Sequence, residues 1–405
     1  MSLHTLMFGW EYPPKHSGGL GVACQGLVRG LLKHNVQVTL VLPSLVDAGD
    51  DDIQILHPTT ELLNTIKVMS DLQPYDSTLS YLSRRTSIGD DSLSELYGPD
   101  LGAAVERYTA LSVEMTKNTN PDVVHCHDWM TLEAGIRAAR HHRKPLIAHV
   151  HATELDRTHF QPNEWISSRE RRGLMQADRI VAVSHYTKNM LIKHYGIPAD
   201  RIAVVHNGHD AHRSPVSPAI LSASRHGKSP LILFLGRMTL QKNPWQFLEI
   251  ASHVRHYRPD AQFVMAGDGP MLPELIDRAC TLGLQDQVVF TGKVNNREAM
   301  ALYEAADCFV MPSVSEPFGL VALEAIAHGT PVIVSKQSGV SEVLDHAFKV
   351  DYWDTAKMTD CIVTILREQP LAQQLRSEAP RLLQRLNWKN QAYKIKSLYQ
   401  NLIQS

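Results

Sequence analysis

Cysteine is scarce in this sequence, and its spacing argues against two kinds of cross-linked site. The five cysteines are odd in number and widely separated, and none forms a CxxC pair. A disulfide framework or a cysteine-based zinc site is therefore not expected. Few, unpaired thiols are typical of a reducing compartment, so we expect a cytoplasmic protein.

The sequence also lacks an excess of one charge and any long apolar run. Forty Lys and Arg residues oppose 42 Asp and Glu residues, for a net charge of −2, whereas a general nucleic-acid-binding protein needs a basic excess. No apolar run approaches the roughly 18 residues that cross a bilayer, and the first residues lack the pattern of a signal peptide. We expect neither a nucleic-acid partner nor a transmembrane segment. Basic runs at 137–144 and 169–172 leave peripheral membrane contact open, although such runs are more often solvated helix faces.

What the chain has in quantity is short apolar runs that alternate with amphipathic stretches. The runs rich in Val, Ile and Leu predict buried strands at residues 3–8, 36–42, 123–126, 146–150, 180–183, 202–205, 231–235, 262–266, 288–291, 308–311 and 332–334. The stretches between them predict helices at residues 19–33, 103–117, 130–141, 186–194, 244–256, 271–282, 297–305, 321–327 and 341–344. This alternation predicts α/β domains with parallel sheets that are covered on both faces.

A chain of 405 residues is too long for one ordinary core, so we expect two domains. The break falls in a Ser- and Pro-rich stretch without a sustained apolar period. We predict one doubly wound domain at residues 1–212, a linker at 213–229, a second doubly wound domain at 230–386 and a terminal helix at 387–405. A less regular stretch, residues 47–99, interrupts the first domain.

Ligands of doubly wound domains bind at the carboxyl ends of the strands, so the residues that follow the strands are the candidates. Arg237 and Lys242 follow the strand at 231–235 and precede a helix, where fixed cations and the helix dipole favour a diphosphate. Taken alone, this loop is as well explained by solvent-exposed basic residues. Gly267 lies in a tight "GDGP" turn after the next strand, which is a weak indication by itself.

Two acids, Glu316 and Glu324, flank a Pro-Phe-Gly turn after the strand at 308–311. The turn would hold Glu316 at the mouth of a cleft, and the backbone of residues 319–321 would meet a sugar hydroxyl or a phosphate oxygen. Glu324 would accept hydrogen bonds from vicinal hydroxyls such as those of a ribose, or would only complement the helix dipole. Eight residues across a turn need not bring two carboxylates together, so a hydrolase-type acid–base pair is not the best account.

The first domain has polar candidates at its own strand ends. Lys15, Gly18 and Gly19 form a flexible, cationic loop at the start of a helix, which is another place suited to an anion. Asp128 and His151 come directly after two apolar strands. They are better candidates than a lone surface residue, although some such placements are expected by chance in a chain with 21 histidines.

The order of these motifs is similar to that of a known family. The chain resembles the retaining, nucleotide-sugar-dependent glycosyltransferases of family 4 with the GT-B fold, and among them the glycogen and starch synthases. The resemblance rests on "PPKHSGGLG", "HCHDW", "VHATE", "VVHNGHD", "FLGRMTLQKNP", "AGDGP", "EPFGLVALEAIAHGTPVI" and "NWKNQAYKIKSLY", which span residues 13–399. It implies two Rossmann-like domains that face each other across a cleft. The first would be the acceptor side and the second would bind the nucleotide sugar, with the last helix crossing back.

The resemblance also implies roles for the candidate residues. Arg237 and Lys242 would bind the donor diphosphate, Glu316 would contact the transferred sugar, and His151 would lie beneath that sugar; these four are the implied catalytic residues. The implied donor-binding residues are Lys15, Gly18, Gly19, Gly267, Phe318, Gly319, Leu320, Val321 and Glu324. Asp128 would lie near the acceptor.

The implied reaction moves a hexosyl unit, most simply glucosyl, from a nucleoside-diphosphate sugar such as ADP-glucose or UDP-glucose to a glycan or small hydroxyl acceptor. It retains the anomeric configuration and needs no metal or other cofactor. Fixed cations would stabilise the departing diphosphate by about 3 kcal/mol per well-placed donor. The donor base, sugar, acceptor and oligomeric state stay open. The donor and the product are open because this chain reads "KHSGGLGVAC" where bacterial glycogen synthases resemble "KTGGLADV". Transfer of mannose or N-acetylglucosamine to surface glycans is the alternative within the family.

Two interpretations from other classes also stay open. His125 with His127, and His149 with His151, each place two imidazoles on one face of a strand, as a metal-dependent hydrolase would need. That interpretation leaves the second domain unexplained. A non-catalytic nucleotide- or glycan-binding protein is the other possibility, and the presence of all the motif residues speaks against it.

Overall fold

The computed structural model of the chain describes residues 3–13, 19–44, 63–69, 101–209 and 229–404. Lys15 and Gly18 lie outside these ranges. So do the predicted linker apart from Ser229, and most of the stretch at 47–99.

The N-terminal part of the chain forms a seven-stranded parallel sheet. Its strands are β1 His4–Phe8, β2 Gln37–Ser44, β3 Leu63–Met69, β4 Val123–His127, β5 Leu146–Val150, β6 Arg179–Ala182 and β7 Ile202–Val204. The strand order is β3-β2-β1-β4-β5-β6-β7, so β1 has β2 on one side and β4 on the other. The strand order reverses at β1, and ligands of doubly wound sheets bind at such a point.

Six helices are described in this part. They are α1 Gly19–Lys33, α2 Leu101–Thr116, α3 Trp129–His142, α4 Glu154–Arg157, α5 Glu164–Gln176 and α6 His185–Tyr195. All five residues of β4 and of β5 are buried, as expected for strands covered on both faces.

The C-terminal part repeats the scheme with a six-stranded parallel sheet. Its strands are β8 Leu231–Leu235, β9 Gln262–Ala266, β10 Val288–Gly292, β11 Cys308–Met311, β12 Val332–Ser335 and β13 Phe348–Val350, in the order β10-β9-β8-β11-β12-β13. Its helices are α7 Pro244–Tyr257, α8 Leu272–Thr281, α9 Asn296–Ala305, α10 Leu320–Ala327, α11 Thr355–Arg367, α12 Gln369–Ser377 and α13 Ala379–Arg385. The order reverses at β8, which is followed by the loop that carries Arg237 and Lys242.

The last helix, α14 Trp388–Gln404, packs against α1 of the N-terminal domain. The contact is close because α1 has glycines where α14 crosses it. A Cβ atom at Gly26 would lie 2.1 Å from Cε2 of Trp388, and one at Gly30 would lie 2.6 Å from Cβ of Ala392. Tyr399, fully buried, reaches from α14 to the sheet.

The predicted α/β class with two doubly wound domains is confirmed, and each predicted strand is present. Among the elements that were not predicted are strands β3 and β13 and helices α4, α5 and α11. The three residues of β13 are too few for a pattern, and α5 is rich in charge, with buried residues only at Ile166, Glu170, Gly173 and Leu174.

The helix predicted at 341–344 is wrong. A 3₁₀ turn at Gly339–Glu342 occupies the place. The backbone amides of Gly339 and Val340 donate to the carbonyls of Glu316 and Phe318, at 2.8 and 2.6 Å. These bonds tie the segment to the Pro-Phe-Gly turn instead of extending a helix.

Candidate active site

Lys242 and Glu316 form an ion pair at the carboxyl end of the C-terminal sheet. Lys242 ends a 3₁₀ turn after β8, and Glu316 follows β11, the strand next to β8. The Lys242 Nζ donates to Glu316 Oε2, and Ser313 Oγ donates to the same oxygen at 3.3 Å. The two side chains are only 17% and 8% exposed. Charges held this far from water interact more strongly than surface charges do.

The loop that carries Arg237 lies directly on the turn that contains Gly267. A Cβ atom at residue 267 would lie 1.9 Å from the carbonyl oxygen of Gly236, and Gly267 has a φ of 132°. Both facts require glycine there. The amide of Met238 donates to the Asp268 carbonyl at 2.9 Å, which fixes the two loops together. The side chain of Arg237 is exposed at this edge of the sheet.

The Pro-Phe-Gly turn leads into α10. Phe318 is buried, Gly319 has a φ of 106°, and α10 begins at Leu320. The first amides of a helix have no acceptor within it, so those of Leu320 and Val321 are suited to bind a ligand oxygen.

Glu324 lies in α10 beside a cavity of about 210 Å³ between the two domains. Its Oε2 accepts a hydrogen bond from the Tyr303 hydroxyl at 3.0 Å. Arg29 of α1, His328 and Trp388 also line the cavity. Burial raises the pKa of the Glu324 carboxyl, while its bond with Tyr303 acts in the opposite direction.

Four imidazoles form a stacked array on one face of the N-terminal sheet. His125 and His127 alternate along β4, and His149 and His151 follow the same alternation in β5 and just beyond it. His127 pairs in register with His149. The rings of His125 and His127 stack at 4.7 Å, and those of His149 and His151 at 4.4 Å. We call these four residues the histidine array.

Two hydrogen-bonded pairs run diagonally across the array. Each joins a histidine of β4 to the histidine that lies two positions after its register partner in β5. His125 Nε2 lies 3.2 Å from His149 Nδ1, which we call the inner pair. His127 Nδ1 lies 2.8 Å from His151 Nε2, which we call the outer pair. The inner pair is anchored by the hydroxyl of Tyr399, which is 2.5 Å from His125 Nδ1.

Burial keeps the histidine array neutral. It lowers the pKa of His151 to about 3, and it holds the pKa values of the other three imidazoles well below their usual value of 6.5. Neighbouring imidazoles add to the effect, since a proton on one disfavours a proton on the next. The histidine array is therefore uncharged, whereas the C-terminal side of the site is ionic.

Asp128 holds the end of β5. Its Oδ1 accepts from the backbone amide of His151 at 2.7 Å and from that of Ala152 at 3.4 Å. Asp128 itself has a φ of 57°, a conformation that few non-glycine residues adopt. Burial raises its pKa to about 6, opposed by the charge of Arg157 and by these two hydrogen bonds. The residue expected near the acceptor thus also fixes the backbone of His151.

Glu11 is a site residue that the sequence analysis missed. It is the third residue after β1, is 4% exposed, and its Oε2 accepts from the Gly21 amide at 2.9 Å in the first turn of α1. Burial raises its pKa to about 7, against the effects of that bond and of the charge of Arg237 in the other domain. An acid shortly after a buried strand is close to the indication that selected Asp128, so the sequence could have revealed it.

Contacts between the domains fix the Pro-Phe-Gly turn on both sides. Ser315 Oγ donates to Asp156 Oδ1 at 2.5 Å and lies 2.9 Å from the Tyr186 hydroxyl. Ser184 Oγ donates to the Pro317 carbonyl at 2.7 Å. The segment that holds Glu316 and Phe318 is therefore positioned by the N-terminal domain.

A second contact lies behind this turn. The carboxylate of Glu342 accepts from the backbone amides of His185 and Tyr186, at 2.8 and 2.5 Å, at the start of α6. These bonds and one from His206 lower the pKa of Glu342 despite its partial burial. A negative charge at a helix N-terminus is favourable.

The described ranges contain one set of three residues whose ligand atoms come within 4.8 Å of one another, namely His125, His127 and His149. Both nitrogens of His125 already have partners, Tyr399 and His149. A metal ion there would have to break the inner pair. The bonding within the array therefore disfavours the metal-dependent hydrolase.

No helix in the described part of the chain combines the length and the apolar character that a membrane span needs.

Two family models match the chain, one for each domain. The model described as "Glycosyltransferase Family 4" matches residues 94–213, and the model described as "Glycosyl transferases group 1" matches residues 219–382. An uncharacterized glycosyltransferase of Methanocaldococcus jannaschii is 31% identical over 350 residues, 84% of this chain and 82% of that protein. A glycogen synthase of Mycobacterium tuberculosis is 29% identical over 94% of this chain and 89% of its own length.

Solved structures are similar over nearly the whole chain. The sucrose-phosphate synthase of Thermosynechococcus elongatus has a TM-score of 0.77 at 20% identity and covers 99% of both chains. HepE of Anabaena, in complex with UDP and glucose, has a TM-score of 0.72 at 20% identity and covers 99% of this chain and 100% of its own. At these identities the likeness establishes the fold. Together with the relatives, it identifies the chain as a member of the family 4 glycosyltransferases with the GT-B fold.

Proposed function

We propose that this glycosyltransferase moves a hexosyl unit, most simply glucosyl, from a nucleoside-diphosphate sugar to a hydroxyl group of a glycan or small acceptor. The anomeric configuration is retained and no metal is required. The observation that carries the proposal is the buried Lys242–Glu316 ion pair. The pair lies after strands β8 and β11, where the strand order of the sheet reverses, and Glu316 is next to Ser315, which contacts the other domain.

The C-terminal side of the site would bind the donor. Lys242 and Arg237 neutralise the diphosphate, and the first amides of α10 bind its oxygens or those of the sugar. Glu316 contacts hydroxyls of the transferred sugar, and Glu324 accepts from the ribose in the cavity beside Tyr303. Gly19 at the start of α1 would approach the diphosphate from the other domain; Lys15 and Gly18, for which we propose the same role, lie outside the described residues.

The chemistry follows from where charge develops. When the anomeric C–O bond breaks, the ring becomes positive and the departing diphosphate becomes more negative. Preorganised cations at the diphosphate are typically worth about 3 kcal/mol each in the transition state. The leaving phosphate oxygen then takes the proton from the acceptor hydroxyl, which attacks from the same face. His151 lies beneath the ring as a neutral imidazole, so it adds no repulsion to the developing positive charge.

Two findings support glucosyl transfer over the other sugars of the family. The relative from Mycobacterium tuberculosis is named a glycogen synthase, and the similar HepE structure contains UDP and glucose. Neither finding identifies the nucleotide base of the donor that this chain prefers.

The test is turnover of a panel of ADP-, UDP- and GDP-linked glucose, mannose and N-acetylglucosamine with glucans and monosaccharides as acceptors, with and without EDTA. We expect release of one nucleoside diphosphate, unaffected by EDTA, and a product whose anomeric proton has the small coupling of the α-linkage in the donor. An inverted product, or turnover that EDTA abolishes, would contradict the proposal.

A further inference from the structure

We propose that His127 is a positioning residue for glycosyl transfer, which fixes the ring orientation of His151 through the outer pair and couples the tautomers of the two rings. The inference rests on the proposed function, in which His151 lies beneath the reacting sugar. It concerns a residue that this role does not use directly, since His127 is fully buried behind His151.

The bond between the two rings couples their protons. A neutral imidazole carries one N–H and one acceptor nitrogen, so the role of one nitrogen decides the role of the other. His127 Nδ1 and His151 Nε2 are 2.8 Å apart, and one of them must donate to the other. The remaining nitrogens, His127 Nε2 and His151 Nδ1, have no hydrogen-bond partner among the described residues. The outer pair is therefore the contact that holds the ring of His151 and couples its tautomer to that of His127 within this part of the chain.

Stacking alone gives no physical reason for an imidazole at position 127. A phenylalanine ring would fill the same space between His125 and His151 without bringing an unpaired nitrogen of its own. An unsatisfied buried polar atom costs free energy, on the order of 1–3 kcal/mol. The imidazole of His127 brings that cost, and what it provides in return is a hydrogen bond to His151.

The inner pair supports the outer one from the side away from the cleft. His125 and His149 stack against His127 and His151, and Tyr399 of α14 anchors His125. Asp128 fixes the backbone of His151 from the other direction. His151 is the one member of the array that is partly exposed, so the orientation that the outer pair gives its ring decides which part of the ring meets a ligand.

Two substitutions at one position separate the hydrogen bond from the ring. His127→Phe keeps the stacked ring and removes the bond, whereas His127→Asn removes the ring and keeps a polar group near the place of Nδ1. His125→Phe is the matched control, because it is a buried histidine of the same strand and face that does not bond His151.

We expect His127→Phe to lower kcat about five-fold, the loss of one neutral hydrogen bond, with the KM for the donor unchanged within about two-fold. His127→Asn should restore kcat to within about two-fold of the wild type. In ¹⁵N-histidine-labelled protein, the tautomer balance of His151 should be the same in the wild type and in His127→Asn, and should change in His127→Phe. His125→Phe should lower the melting temperature and keep the wild-type tautomer balance of His151.

Three results would overturn the proposal. The first is wild-type kcat and an unchanged His151 tautomer balance in His127→Phe. The second is an equal loss of kcat in His125→Phe and His127→Phe, which would indicate general packing. The third is one equivalent of tightly bound metal in the purified wild type that His127→Phe lacks. Failure of the proposed function would look different: the wild type would turn over no nucleotide sugar, while the tautomer measurement would still decide whether His127 controls His151.

Discussion

The two sides of the cleft use the same strand–helix scheme and end their strands in opposite kinds of chemistry. Beyond β8 and β11 lie Arg237, Lys242 and Glu316, which are ionic. Along β4 and β5, and just beyond the end of β5, lies the histidine array, which burial keeps neutral. The difference matches the two charges that develop when a sugar leaves a diphosphate: the leaving group needs fixed cations, and the positive ring needs a neighbour that adds no positive charge.

The two sides also differ in the contacts that hold them in place. The ionic side is fixed by contacts from the other domain, through Ser315, Pro317 and Glu342. The neutral side is fixed from within its own sheet and by Tyr399 of α14. We therefore expect substitutions on the ionic side to affect catalysis first, and substitutions in the array to affect stability and its pH dependence.

The largest effect is expected from Lys242→Ala. Removing a cation from the leaving diphosphate should lower kcat about 100-fold or more, as the loss of one preorganised donor does elsewhere. The measurement is release of nucleoside diphosphate at saturating donor, with Lys242→Arg as a control that keeps the charge. A fall of less than ten-fold in a well-folded variant would mean that the ionic side does not stabilise the leaving group.

A smaller effect is expected from Glu324→Gln. The amide keeps the size of the side chain and can still accept from Tyr303, but it loses the charge that strengthens hydrogen bonds to ribose hydroxyls. The KM for the donor should rise about ten-fold with kcat unchanged. Tyr303→Phe, which leaves the carboxylate in place, is the control and should have the weaker effect. An unchanged KM in the glutamine variant would remove Glu324 from the donor site.

The neutral side predicts a pH effect with a defined sign. Burial holds the pKa of His149 well below 6.5 in the folded protein, whereas the unfolded chain has the ordinary value. Its contribution to stability is therefore complete above pH 6.5 and is lost as the pH falls below that value. When the pH falls from 7.5 to 5.5, the decrease in the free energy of unfolding should be about 1.4 kcal/mol smaller in His149→Phe than in the wild type.

Glu11 and Glu170 act in the opposite direction, because burial raises both of their folded pKa values to about 7, and they stabilise the fold as the pH falls through that value. They are present in both proteins and cancel in the comparison. Urea unfolding at the two pH values provides the measurement. Equal losses in the two proteins would show that His149 is not held neutral.

The smallest effect is expected from Ser315→Ala. It removes the bonds from the Pro-Phe-Gly turn to Asp156 and Tyr186, while Asp156 keeps its bonds with Thr153. We expect kcat to fall about three-fold, within the range of one hydrogen bond. Ser252→Ala, at a buried serine of α7 with one bond to Glu249, is the control. Equal kcat in the two variants would mean that the domain contact does not position Glu316.

The strand ends could be predicted from sequence because each depends on a local pattern. Apolar runs located β8 and β11, and the residues after them followed. The pairing of Lys242 with Glu316 could not be predicted, since it joins residues 74 positions apart. The two H-x-H pairs indicated one strand face each, but the diagonal bonding of the histidine array depends on the register of β4 with β5.

Other parts of the site depend on packing that no local pattern records. Asp128 accepts a hydrogen bond from the His151 amide, and this contact accompanies a positive φ at Asp128 that only the structure reveals. Glu342 was expected within a helix, whereas its contact with the start of α6 needs both domains in place. Glu11 was missed although its position after β1 resembles that of Asp128.

The most direct test of the central claim is the melting shift that ADP, UDP and GDP each cause, with and without EDTA, in the wild type and in Lys242→Ala. A nucleotide at 100 times its Kd should stabilise the fold by about 2.7 kcal/mol. The account predicts a shift with one nucleotide that EDTA does not change and that Lys242→Ala loses. No shift with any nucleotide, together with a fall in melting temperature on chelation, would contradict it and favour a metal at the histidine array.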